Sequence, residues 1–178
     1  MPVRRTVVIA VLIGCLAAAV AQASLPRATS TLIVPGRSIG GVAMGSSVDK
    51  ARAAWGPGST CAITAAGDGT CSYLDDVQAS TGRASFTATG NRIVQVFVYA
   101  PYDGAARAYK LTGPLTKFHT AKGIHIGSTA AKVRRAYPKA KSGSGYFRIK
   151  SGSYVTTIGL VGGKVYSITI GKPSGAGV

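Results

Sequence analysis

Gly41-Val42-Ala43-Met44-Gly45-Ser46-Ser47-Val48-Asp49-Lys50-Ala51-Arg52-Ala53-Ala54-Trp55 is echoed further along the chain by Gly123-Ile124-His125-Ile126-Gly127-Ser128-Thr129-Ala130-Ala131-Lys132-Val133-Arg134-Arg135-Ala136-Tyr137. Apolar, Gly and Ser positions coincide, and Trp55 falls on Tyr137. A second match, at a shorter offset, sets Asn91-Arg92-Ile93-Val94-Gln95-Val96-Phe97-Val98 against Gly163-Lys164-Val165-Tyr166-Ser167-Ile168-Thr169-Ile170. Self-similarity of this kind is the signature of a tandem repeat. It predicts a first unit over residues 24–102, a Gly/Pro-bearing linker over 103–112 and a second unit over 113–178.

Within each copy a short strand runs into Gly-Ser and then into a helix of about ten residues. Ser46 or Ser47 is the expected N-cap of the first helix and Ser128 that of the second, because a side-chain oxygen there satisfies an orphan amide. Val48, Ala51 and Trp55 recur at helical spacing, as do Ala130, Val133 and Tyr137, with Gly56-Pro57 and Pro138 as stops. The segments that follow alternate as strands: Ala84, Phe86 and Ala88 correspond to Thr156, Ile158 and Leu160, and Val94, Val96 and Val98 to Tyr166, Ile168 and Ile170. Gly90-Asn91 and Gly162-Gly163 supply hairpin turns. The opposite face carries Arg83, Ser85, Thr87 and Thr89, then Ile93, Gln95, Phe97 and Tyr99, and should be wet. The expected fold class is therefore α+β: two tandem repeats, each a short helix packed on an antiparallel sheet of about three to four strands.

The cadence Gly-apolar-x-apolar-Gly-Ser, a Lys at Lys50 and Lys132, an aromatic at Trp55 and Tyr137, then a Cys pair and antiparallel strands resembles the tandem α+β repeat of the β-lactamase inhibitory proteins and the related BamE-like envelope lipoproteins. The resemblance covers most of the chain after residue 23 and rests on structural residues. It implies a binding protein that uses sheet faces and loops and has no catalytic role; it transfers no contact residue.

The N-terminus reads as an export signal. Arg4 and Arg5 precede an apolar run from Val7 to Val20, and Ala21-Gln22-Ala23 offers a cleavage site before Ser24. The run falls short of the roughly 20 residues that cross a bilayer, and nothing after residue 24 is long and apolar enough to span. Leu12-Ile13-Gly14-Cys15 is an alternative lipid-attachment site at Cys15. The expected location is therefore secreted or cell-envelope-associated. Cleavage after Ala23 would leave Cys61 and Cys71, and an even pair in an exported chain reads as a disulfide closed around the Ala66-Gly67-Asp68-Gly69 turn. Zinc is the weaker reading, since no His lies near.

The chain holds two His, five Asp and no Glu, which leaves little for acid–base chemistry. His119 and His125 are expected at surface or boundary positions, and neighbours Asp75 and Asp76 would point to opposite faces of an extended chain. No Gly-x-Ser-x-Gly elbow occurs, and Gly159 to Lys164 lacks the form of a phosphate loop. No catalytic residue, cofactor or metal is predicted, and a secreted hydrolase is the weakest of the readings.

Charge speaks louder. With 46% hydrophobic residues the chain is not of the disordered class, yet its formal net charge is +16. From Gly104 onward there are thirteen Lys and Arg and no acid. Such a field attracts polyanions, which for an exported protein means an anionic envelope polymer, lipid head groups, extracellular nucleic acid or an acidic protein. Lys132, Arg134, Arg135, Lys139 and Lys141 form the densest candidate anion-binding stretch. Phe97, Tyr99 and Tyr102 are the candidate anchors of an alternative, inhibitor-like protein-binding face.

Overall fold

A computed structural model describes residues 26–56, 60–74, 83–103 and 106–173. The segment read as an export signal, Cys15, Asp75 and Asp76 lie outside the described residues.

The chain opens with three short strands, β1 (Leu32–Val34), β2 (Ser38–Ile39) and β3 (Val42–Ala43), followed by helix α1 (Val48–Trp55). Four longer strands come next: β4 (Thr60–Ile63), β5 (Gly69–Leu74), β6 (Arg83–Thr89) and β7 (Arg92–Tyr99). The segment read as a linker contains a small ribbon, β8 (Tyr102–Asp103) with β9 (Ala108–Tyr109). A 3-10 turn at Pro114–Lys117 leads to β10 (His119–Thr120), then helix α2 (Ala130–Ala136). The chain closes with β11 (Lys141–Gly143), β12 (Tyr146–Ser151), β13 (Tyr154–Val161) and β14 (Lys164–Gly171).

These strands overturn the expected fold class. The chain is mostly β: helices of 8 and 7 residues lie against one eight-stranded antiparallel sheet in the order β11-β12-β13-β14-β7-β6-β5-β4, and not in two α+β units. The reason is the pairing of β14 with β7, where Ile170 faces Val96 and Ile168 faces Val98. Alternation along a strand specifies its two faces and says nothing about which strand it lies beside. A second join is made by β1, which pairs in parallel with β10 through Ile33 and Thr120.

The core is a single cluster drawn from both halves of the chain. At its centre the fully buried Trp55 meets Tyr73 edge-on at 5.1 Å, Phe86 at 5.9 Å and Phe118 at 6.4 Å. The indole Nε1 donates to the Ile39 carbonyl at 3.2 Å, so the polar atom of a buried Trp is satisfied. Gly40 leaves room for this packing: with φ at +58°, a Cβ there would sit 2.5 Å from the Phe118 ring and 2.8 Å from Trp55 Nε1.

Two bulges correct the expected faces. Between Thr87 and Ala88 the register of β6 against β7 slips, so Ile93 turns inward and is fully buried, where strict alternation puts it on the wet face. Between Gly159 and Leu160 the register of β13 against β14 slips likewise, and Val165 takes the inward place expected for Tyr166. A bulge inserts one residue and resets every side chain beyond it. The outward Ser85 is also fully buried, its Oγ donating to the Cys71 carbonyl at 2.9 Å.

Cys61 and Cys71 face each other directly across β4 and β5 and are joined as a disulfide, the kind of cross-link that persists in oxidising compartments. No helix of the described residues is long and apolar enough to cross a membrane.

One core implies one unfolding event. The chain's single Trp is Trp55, so its fluorescence follows the first half of the chain while far-ultraviolet circular dichroism follows both halves. The two urea transitions are expected to coincide, and reduction of the Cys61–Cys71 bridge to shift both by roughly 3 kcal/mol. Two separated midpoints would break the single-core description.

Candidate functional site

The helices cover one face of the sheet, since Val48, Ala51 and Trp55 of α1 and Val133 of α2 all enter the core. The candidate residues lie on two regions, the solvent side of α2 and the opposite face of the sheet.

Helix α2 is positioned by Thr129, whose Oγ1 accepts from the Lys132 amide at 3.2 Å. The expected cap, Ser128, is 4% exposed, and its Oγ accepts from the His125 amide at 3.1 Å. It closes the turn before the helix, and the next hydroxyl in sequence does the capping. At the far end the Lys122 ammonium donates to the Ala136 carbonyl at 2.6 Å and lies 5.0 Å over the Tyr137 ring, a cation at the negative helix terminus. Lys132, Arg134 and Arg135 are exposed on the helix and Lys139 just past it. Lys141 is separated from these four: it lies on β11, directly opposite Arg148 of β12, in register with the outward face of the sheet.

Cross-strand register gives that face its layout. One transverse row runs Lys141, Arg148, Thr157, Thr169, Phe97, Ser85, Ser72 and Thr60. The next runs Gly143, Tyr146, Gly159, Ser167, Tyr99 and Arg83. Phe97 and Tyr99 are half-buried and stack on one another, with centroids 5.7 Å apart and an interplanar angle of 12°. Both project away from the core, as does Tyr146, over whose ring the Arg148 guanidinium lies at 4.7 Å. Two outward glycines make room for flat rings: a Cβ on Gly143 would meet Tyr146 at 2.3 Å, and one on Gly159 would meet Tyr166 at 2.8 Å. Tyr102, expected beside Phe97 and Tyr99, instead belongs to the β8–β9 ribbon. It is 53% exposed, with its ring edge on Tyr109 at 5.2 Å, and Tyr109 in turn packs on Tyr166 at 4.5 Å.

None of the eight sheet strands contains an acidic residue. Asp49 lies in α1, Asp68 in the β4–β5 turn and Asp103 in β8. Sequence reasoning lists the cations by position along the chain, and so misses that Lys141, Arg148 and Lys150 share a face with Phe97, Tyr99 and Tyr146. Their i, i+2 spacing within β12 is the signal that could have found it.

His119 and His125 oppose one another in a single antiparallel bridge. Each ring is tied to a neighbouring carbonyl, Nδ1 of His125 to Ile126 at 2.6 Å and Nδ1 of His119 to Thr120 at 3.2 Å. A cleft of about 400 Å³ beside His125 is lined also by Thr116 and Lys164. Another, of about 370 Å³, opens between α1 and the disulfide-linked hairpin. Among the described residues no group of three or more His, Cys, Asp or Glu is placed to hold a metal ion.

No protein-family model matches the chain, and no curated protein does. Among solved structures, an extracellular protein containing a SCP domain from Bacillus anthracis str. Ames is similar at a TM-score of 0.37 and 12% identity, over 73% of this chain and 44% of that one. The match thus spans less than half the length of that protein.

Replacing Thr129 by Ala is expected to lower stability by about 1 kcal/mol, the usual effect of losing an N-cap, read as a shift in urea midpoint. An unchanged midpoint would show that the cap is not what fixes α2.

Proposed function

We propose that the protein is an exported, non-enzymatic module that binds an anionic envelope polymer, lipid head group or acidic protein surface through the basic second half of the chain. The observation that carries this reading is the exposure of Lys132, Arg134, Arg135 and Lys139 together in a half that contains no acid after Asp103. Nothing there neutralises the field internally, and charges of one sign on a low-dielectric body raise the local concentration of opposite charge. The helix presents its basic side outward because Val133 holds the other side in the core.

Export supports the identity of the partner, since Arg4, Arg5 and the apolar run to Val20 make a signal segment and the Cys61–Cys71 bridge suits an oxidising compartment. Protein recovered from the medium or envelope of the producing cell should begin at Ser24. A lipid-modified N-terminus at Cys15, detected by mass, would replace release with anchoring.

Triple charge reversal, Arg134→Glu with Arg135→Glu and Lys139→Glu, tests the site. Affinity for inorganic polyphosphate at low salt is expected to fall tenfold or more, and the dependence of log affinity on log salt to flatten by about 1 per reversed cation. If the reversed protein binds polyphosphate and anionic vesicles as the unmodified one does, the basic half is not the site.

A further inference from the structure

We infer that the outward face of the sheet, on the side opposite α2, is a base-stacking platform for single-stranded nucleic acid. The inference goes beyond the polyanion site on α2 and stands on different residues. Its centre is Phe97 and Tyr99, stacked along β7 and outside the core cluster. The residues beside them across β14 are Thr169 and Ser167, short side chains, and across β6 they are Ser85 and Arg83. Tyr146 lies three strands away in the same row as Tyr99, with Gly159 and Ser167 between. The stacked pair offers its outer faces to successive planar units, and Arg148, 4.7 Å over the Tyr146 ring, adds a cation to the same face.

Charge decides which planar units. The eight strands carry no acid, and Lys141 and Lys150 stand exposed at one end of the face. Aromatic faces flanked by cations, with no carboxylate to repel a phosphate, are the elements with which sheets hold unpaired bases and their backbone. A lipid surface or polyphosphate offers the charge without a ring to stack. A duplex offers rings that are already stacked inside it. Unpaired nucleic acid supplies both, and sequence preference is not expected because every base has a π-face.

The test measures fluorescence anisotropy of a labelled oligothymidine of about 15 nucleotides with the full chain after residue 23, against polyphosphate and a duplex of the same length as competitors. Oligothymidine is expected to bind more tightly than either competitor. Phe97→Ala with Tyr99→Ala should weaken it tenfold or more while leaving polyphosphate affinity within twofold, and Phe97→Tyr should keep oligothymidine affinity within twofold. Because both rings point away from the core, the Ala variant is expected to keep the native circular dichroism. Should it lose that signal, Phe97→Leu with Tyr99→Leu, which keeps apolar bulk and removes the rings, is measured in its place with the same outcomes. The platform is refuted if the folded ring-deleted variant binds oligothymidine unchanged, if Phe97→Tyr loses affinity as ring deletion does, or if polyphosphate or duplex competes as well as the unlabelled single strand. The charge-reversed α2 protein separates the two readings: loss of polyphosphate with oligothymidine retained upholds both surfaces. Loss of both ligands on charge reversal, with no loss on ring removal, leaves the α2 site alone.

Discussion

The antiparallel pairing of β7 with β14 is the constraint on which the rest of the molecule depends. Five residues of each strand are in register there, Gln95 to Tyr99 against Gly171 to Ser167, and the inward members Val96, Val98, Ile168 and Ile170 are all fully buried. Burial of each such side chain contributes about 1.5–3 kcal/mol, while helices as short as α1 and α2 have no stability of their own. The helices therefore follow the sheet. Without the seam, β7 and β14 would each present a long apolar edge, and the two sets of four strands would have small separate cores.

The seam also accounts for where polar chemistry is left. Once the inward face is filled by Trp55, Phe86, Phe118 and the aliphatic residues around them, the outward face must be formed by what alternates with them. That remainder consists of Thr, Ser, Gln, Lys and Arg with Phe97, Tyr99 and Tyr146 among them. An outward aromatic in a strand usually packs beneath another element. Here Tyr166 does so, against Tyr109 of the β8–β9 ribbon, whereas Phe97 and Tyr99 stack on each other.

Much of this arrangement is legible in the sequence, and the parts that are not share a cause. Ser47 before Val48, the Val48-Ala51-Trp55 stripe and the Gly90-Asn91 turn are local signals, and each corresponds to its element, with Gly90 and Asn91 at φ of 55° and 58°. The Cys61–Cys71 bridge follows from compartment and turn together. Fold class escapes the pattern because repeat similarity says that two segments are built alike and is silent on whether they share a sheet. The faces of Ile93 and Tyr166 escape it because a bulge leaves no mark in the hydrophobic alternation: Ile93 and Val94, like Val165 and Tyr166, are both apolar, and either could be the inward residue. The basic stretch looks like one patch because Lys139 and Lys141 are near neighbours in sequence, although the turn into β11 sends Lys141 to the other side of the sheet.

The two open edges of the sheet are protected in different ways. An exposed edge strand offers unpaired backbone groups to any other strand. At one end that strand is β4, whose Cys61 is tied to Cys71 on β5, so it is held against the sheet. At the other end it is β11, only three residues long and exposed throughout, with Lys141 on it. A short edge strand bearing a lysine discourages pairing with a second copy, because two such edges would bring like charges together. Lys141 thus keeps the sheet from growing and continues the positive field from Lys139 on the helix side to Arg148 and Lys150 on the outward face.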